Sequence, residues 1–256
     1  ICLQTRILEY IPEYMSTDQF DLSIAIGGAA GQGIATPGGI LAQIITRRGL
    51  HLNAYNAYQS IVRGGHIFLT IRISDQKIET HGDRLDVLVC LNQDTMDRHL
   101  GLIGPGGHVI FSGDKIKAGD PKPGVQLCPL PVAEISNKSR NKVIQNTIAL
   151  GVITYLLGLD CKVLETALTA RFKSKGESVV DENVSTARTS YKYAEENFDA
   201  YAQPIPQGSK PLALWTGNDA LAMGGGLGVK LCGCQWGVNI GARCDIQNSP
   251  SISPCA

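Results

Sequence analysis

Hydrophobic and polar positions change period as the chain is read from its amino end. Residues 22–27 form an apolar run that meets Gly27, Gly28, Gly31 and Gly33, and an amphipathic segment over 34–48 then ends at Gly49. That order predicts strand, glycine loop, helix. Residues 66–74 alternate, with Ile67, Leu69, Ile71 and Ile73 against Phe68, Thr70 and Arg72, as in a strand with two unlike faces. Residues 85–91 are more continuously apolar, the pattern of a strand covered on both sides. Pro105-Gly106-Gly107 predicts a turn into a short strand over 108–112, and residues 125–130 predict another strand.

Beyond residue 140 the period becomes helical. Ile144, Ile148, Val152, Tyr155 and Leu159 recur at helical spacing, and two helical stretches with charged outer faces follow over 162–173 and 181–198. Strands alternating with helices predict an α/β fold: a mostly parallel sheet with flanking helices and a helical C-terminal part, spanning residues 18–200. Residues 1–17 are expected as an unstructured lead, with Met15-Ser16-Thr17-Asp18 resembling a natural start. Residues 201–211, with Pro204, Pro206 and Gly208, are expected as a linker. Residues 226–256 carry only Lys230, Arg243 and Asp245 as charges and four of the eight cysteines, so this stretch is expected to be an aberrant or disordered tail.

Composition narrows the function class. Lys+Arg and Asp+Glu balance at 23 each, which removes the global basic field of a general nucleic-acid binder or a polybasic membrane binder. The uncharged stretch 143–159 contains Gln145, Asn146 and Thr147 and is shorter than the ~20 apolar residues a membrane span needs. With no secretory-type opening, a cytoplasmic location is expected. No Cys-x-x-Cys pair occurs, and neither a disulfide framework nor a metal cluster is expected.

Two segments hold candidate chemistry. Gly28-Ala29-Ala30-Gly31-Gln32-Gly33 follows a strand and opens a helix, where backbone N–H groups and the helix dipole can hold an anion. Its spacing is G-x-x-G-x-G, and no Asp or Glu stands where a nicotinamide dinucleotide site needs one for the ribose. Residues 22–74 contain no acid at all, while Arg47, Arg48, Arg63 and Arg72 give a formal charge of +4, so an anion would meet no fixed negative charge. A purely architectural reading is also open, in which the glycines allow close packing and the arginines are solvated. The second segment is Ser60-Ile61-Val62-Arg63-Gly64-Gly65-His66, where Arg63 offers a fork for carboxylate or phosphate. Its plainer reading is a hairpin turn at Gly64-Gly65 beside an exposed arginine. No complete catalytic set and no metal-ligand set accompanies either segment.

The elements Gly28 through Ile34 and Tyr58-Gln59-Ser60-Ile61-Val62-Arg63-Gly64-Gly65-His66, with the runs 86–92 and 104–112 and the helix bearing Asn146 and Gly151, resemble the gamma domain of 2-oxoacid:ferredoxin oxidoreductases. The resemblance covers residues 20–200 and implies a Rossmann-like domain. Residues 212–225, including Leu214-Trp215-Thr216-Gly217-Asn218-Asp219, resemble the opening of that family's alpha domain, which implies the fused gamma–alpha subunit of 2-oxoglutarate-type members. The family's continuation is missing after Gly225, as a frameshift would produce. The resemblance implies coenzyme A-dependent oxidative decarboxylation of a 2-oxoacid, 2-oxoglutarate by preference, with electrons passed to ferredoxin. Thiamine diphosphate, Mg and iron–sulfur clusters are expected in the complex, supplied by a beta subunit rather than bound by this chain alone. Gly31, Gln32, Gly33, Ser60, Arg63, Gly64, Gly65 and His66 are then the expected contacts for coenzyme A or the 2-oxoacid. Arg63 would bind an anionic group or anchor the beta subunit, and His66 would support the turn or a phosphate. The other class of function open to the chain is a non-catalytic α/β nucleotide- or coenzyme A-binding or assembly module.

Overall fold

The computed structural model describes residues 19–59, 64–136 and 144–232; the expected lead over 1–17 lies outside them. The chain runs β1 (Asp21–Ala29), α1 (Ala35–Arg47), β2 (His51–Tyr58), β3 (His66–Ser74), β4 (Leu85–Cys90), α2 (Gln93–His99), β5 (Ile103–Ser112), β6 (Gln126–Leu130), α3 (Val132–Ile135), α4 (Ile144–Leu156), α5 (Cys161–Phe172), α6 (Glu177–Asn197) and α7 (Gly217–Cys232). One six-stranded sheet forms in the order β2-β3-β1-β4-β5-β6. β1, β4, β5 and β6 are parallel, whereas β3 is antiparallel to both β1 and β2.

Alternation along each strand feeds two cores, one on either face of the sheet. Ile24, Ile26, Ile71, Val87 and Val89 pack under α1, α4, α5 and α6, where Leu41, Ile45, Ile148, Val152 and Leu168 are buried. On the other face Ala25, Leu88, Cys90 and Val109 meet Met96 and Leu100. All six residues of β4 are buried, as its unbroken apolar run predicts for a strand with both faces covered. α4 approaches α6 so closely that a methyl group on Gly151 would meet Ser190 and the Ala187 carbonyl.

Three elements depart from the sequence pattern. β2 has no clear period because it is an edge strand whose Ala54, Tyr55 and Asn56 face solvent, so no core selects its residues. α2 is only seven residues long, with Asn92 accepting from the Thr95 N–H as its cap. β5 begins at Ile103 instead of after a turn, and Pro105-Gly106-Gly107 is accommodated where its register with β4 shifts between Leu85 and Val87.

The segment 201–212 lies along this α/β unit. Tyr201 and Ile205 donate to the Leu156 and Leu157 carbonyls, Ile205 is buried, and Arg48 donates through Nε and Nη2 to the Pro206 and Ile205 carbonyls at 2.9 Å each. From Leu214 the chain forms a second compact unit containing α7. Its helix opens with a reciprocal cap, in which Asp219 accepts from the Thr216 N–H and the Asp219 N–H donates to Thr216 Oγ1. α7 continues past residue 225 to Cys232, and residues 233–256 lie outside the described part.

Candidate functional site

The glycine loop closes the carboxyl ends of two neighbouring parallel strands. The chain leaves β1 in one direction to form β2 and β3 and later returns on its other side as β4, so this is the switch point where open α/β sheets form a crevice. Gly31 and Gly33 have φ of +95° and +77°, backbone that disfavours any residue with a Cβ. Gln32 spans the gap: its Oε1 accepts from the Ala29 N–H at 2.6 Å and its Nε2 donates to the Leu91 carbonyl at 3.4 Å. A side chain on Gly28 would collide with the Gln32 amide and with Leu91. The loop's sequence therefore encodes a fixed clasp between β1 and β4.

The second motif meets the first directly. The Ala30 N–H donates to the Gly65 carbonyl at 2.8 Å, and Ala29 lies opposite His66 in the β1–β3 ladder. Gly64, with φ of +78°, and Gly65 belong to the connection between the antiparallel strands β2 and β3, as the hairpin reading expects. Ser60 and Arg63 lie outside the described residues. A third segment arrives from α4: Asn146 Nδ2 donates to the Gln32 carbonyl at 2.8 Å. Gly31, Gln32, Gly33, Gly64, Gly65 and His66 are thus brought together at one end of the sheet, with Asn146 beneath them.

His66 has partners the sequence did not signal. Its Nε2 lies 2.9 Å from His99 Nε2, one nitrogen donating and the other accepting, and Phe68 stacks on the His99 ring at 3.8 Å between centroids. On its other side His66 Nδ1 approaches Asp94 Oδ2 at 3.3 Å, without hydrogen-bond alignment. Burial lowers the His66 pKa, opposed by Asp94 and reinforced by Arg98. Burial, His66 and Arg98 together push His99 down to about 4 against the pull of Asp94. Both rings are neutral near pH 7, a pair joined by a single proton rather than a cationic anion trap.

The acid-free stretch is not one positive field, which corrects the expectation drawn from its charge. Arg72 pairs bidentately with Asp21 at the opposite end of β1, at 2.9 and 2.6 Å. Arg47 and Arg48 stand at the far end of α1, about 20 Å from the loop for a helix of 13 residues. Arg48 is moreover committed to the 201–212 segment. Folding also brings in an acid, Asp94, and a cation, Lys175, which lines a cavity beside Gly33. Neither was visible as a neighbour in the sequence, because each belongs to an element far away along the chain.

Among the described residues no three His, Cys, Asp or Glu side chains gather as a metal site. Cys90 and Cys128 are buried singly, and burial pushes both thiols up to about 12, which does not suit cluster ligation. No helix among these residues is long and apolar enough to cross a membrane.

Comparison with known proteins supplies an independent view. Residues 23–193 match the family model described as pyruvate ferredoxin/flavodoxin oxidoreductase. Ketoisovalerate oxidoreductase subunit VorA of Methanothermobacter thermautotrophicus is 30% identical over 193 residues, covering 74% of this chain and 40% of that protein. 2-Oxoglutarate synthase subunit KorC of Archaeoglobus fulgidus is 27% identical over 161 residues, 62% of this chain and 83% of that one. The 2-oxoglutarate:ferredoxin oxidoreductase of Magnetococcus marinus, solved with 2-oxoglutarate, coenzyme A and succinyl-CoA bound, superposes with a TM-score of 0.74 at 25% identity, over 81% of this chain and 37% of that one. The chain spans about 40% of the length of the longer curated relatives it matches.

Proposed function

Since the chain belongs to the pyruvate ferredoxin/flavodoxin oxidoreductase family, we propose that it is the gamma-domain portion of a 2-oxoacid:ferredoxin oxidoreductase subunit. In this reading it supports coenzyme A-dependent oxidative decarboxylation, with 2-oxoglutarate the preferred 2-oxoacid and a beta subunit, ferredoxin, coenzyme A and the oxoacid as partners. The observation that carries it is the junction of the two motifs, Ala30 N–H to Gly65 carbonyl, which makes one surface of segments separated in sequence. Gly31 and Gly33 offer backbone donors there at the amino end of α1. Arg63, the neighbour of Gly64 in sequence, supplies the charge for an anionic group of coenzyme A or oxoacid, and Ser60 a hydroxyl. Gln32 acts by holding the loop and His66 by supporting the turn.

Thiamine diphosphate would supply the decarboxylating carbanion chemistry and iron–sulfur clusters the electron path. Among the described residues no three His, Cys, Asp or Glu side chains gather and Cys90, Cys128 and Cys161 are single free thiols, a donor set that does not fit an iron–sulfur cluster. We assign both groups to partner chains of the complex. A second reading, a non-catalytic coenzyme A-binding or assembly module, is favoured by how fully the Gln32 amide is spent on backbone.

Arg63→Ala separates these roles in the complex reconstituted with its beta subunit. An anion-binding Arg63 gives an apparent KM for coenzyme A or oxoacid raised about tenfold or more with the assembly intact. Loss of the complex on a sizing column, with unchanged KM in what remains, assigns Arg63 to the interface. Unchanged kinetics and unchanged assembly overturn both assignments.

A further inference from the structure

β2 is an outer edge of the sheet, with no strand beside it among the described residues. Edge strands ordinarily carry something that stops a further strand from adding, such as proline, lysine, a bulge or short length. The opposite edge does, since β6 has five residues and one of them is Pro129. β2 lacks all of these. It is eight residues long, its register with β3 is unbroken from His51 to Tyr58, and no Lys, Arg, Asp, Glu or Pro occurs over 51–59. Tyr55 and Tyr58 are 51% and 73% exposed on it. The His81 ring stacks on Tyr55 at 4.7 Å between centroids, which holds that exposed side chain in place.

The backbone fixes which groups this edge offers. Gln59, just past β2, donates its N–H to the His66 carbonyl at 3.2 Å, so the odd-numbered residues of the strand turn their N–H and C=O groups toward β3. Alternation then directs those of Leu52, Ala54, Asn56 and Tyr58 away from the sheet. These four positions are symmetric about Tyr55. A strand of the same sequence running antiparallel, with Tyr55 opposite its counterpart, meets all of them. Leu52 then faces Tyr58 and Ala54 faces Asn56, and each such pair exchanges two backbone hydrogen bonds. Tyr55 falls at a position without ladder bonds, where opposite Cα atoms are only about 4.5 Å apart and aromatic side chains pair across strands.

We propose that β2 is a homodimer edge, at which a second copy of this chain adds its own β2 antiparallel about a two-fold axis through Tyr55, joining two six-stranded sheets into one. Three observations favour a second copy over an unrelated strand. The side chains are self-complementary, with Ala54 opposite the partner's Asn56 and Asn53 opposite the partner's Ala57, a small residue against an amide each time. Leu52 packs on the main core, and the partner's Tyr58, on the same face, extends that core over the joint. No like charges meet along the strand, and the formal net charge of the chain is zero, so two copies do not repel each other. The inference rests on the sheet edge alone, and its test reads association and not turnover.

Sedimentation velocity of the full chain across micromolar concentrations, with hydrogen exchange followed over residues 51–58, tests this. A concentration-dependent dimer is expected, in which the amides of Leu52, Ala54, Asn56 and Tyr58 exchange more slowly as the dimer fills. Tyr55→Lys, at an exposed position, sets two ammonium groups opposite each other at the axis and weakens dimerisation about tenfold or more, while the circular dichroism spectrum stays that of the wild type. Asn56→Pro removes an outward N–H that β3 does not use and has the same effect. A chain that stays monomeric with those four amides exchanging freely overturns the dimer. Slow exchange of the same amides in a monomer gives the edge to another segment of this chain and overturns the second copy. A dimer that keeps wild-type affinity in Tyr55→Lys, or leaves the four amides unprotected, overturns β2 as its interface.

Discussion

His66 illustrates how a residue's chemistry is set by neighbours that its own sequence segment does not contain. Alone beside Arg63 it reads as a support for an anion; in the fold it faces His99 at 2.9 Å and stacks within an aromatic column that includes Phe68. Both imidazoles have lowered pKa values, His99 to about 4, so the unfolded chain binds more protons than the folded one between the ordinary histidine value near 6.5 and that figure. Stability then rises with pH across this window and is fully present above it. Thermal melts should show a melting temperature that falls as pH is lowered from about 6.5 toward 4. His99→Gln, which removes one titrating ring, should flatten that dependence; an unaltered slope would show that the pair is not its source.

At the level of elements, what was legible was whatever the core had selected. β1, β3, β4, α1 and α4 carry runs or periods because their side chains are buried on a fixed face, Leu22, Ile24 and Ile26 being 0–1% exposed. β2 was missed because half its length faces solvent, and α2 because seven residues hold too few turns for a period, although the Asn92 and Thr95 cap was a usable signal. Gly151 shows the converse, a small residue whose reason lies on another helix. Gly151→Ala places a methyl against Ser190 and the Ala187 carbonyl, and urea unfolding should report a loss of about 1–3 kcal/mol. An unchanged unfolding midpoint would mean that α4 and α6 separate without cost.

Across the whole α/β unit, the segment 201–212 binds positions that are distant in sequence: Thr46 and Arg48 at the end of α1, Asp86 in β4, and Leu156 and Leu157 at the end of α4. Proline and glycine in this stretch suggest a linker, yet Ile205 is only 3% exposed and belongs to the main core. Ile205→Ala should lower stability by about 2–4 kcal/mol through the lost methylenes and the cavity left behind. Arg48→Ala, which leaves the Pro206 and Ile205 carbonyls without their donor, should lower it by about 1–2 kcal/mol. Chemical unfolding of both variants checks this, and wild-type stability in both would reduce the segment to a passive connection.

By itself the sequence determined the α/β class, the strand–glycine loop–helix unit and the two motif segments, because hydrophobic period and glycine placement are local properties of consecutive residues. It also carried the family, through the spacing of those motifs. Only the tertiary structure decided which charges share the site. Three of the four arginines of the acid-free stretch are carried to the far end of a helix or strand, while Asp94, His99, Asn146 and Lys175 come in from elements that chain topology alone makes adjacent. Charge counted along the chain measures distance in residues, whereas electrostatics acts through distance in space, and α1 alone places about 20 Å between its two ends.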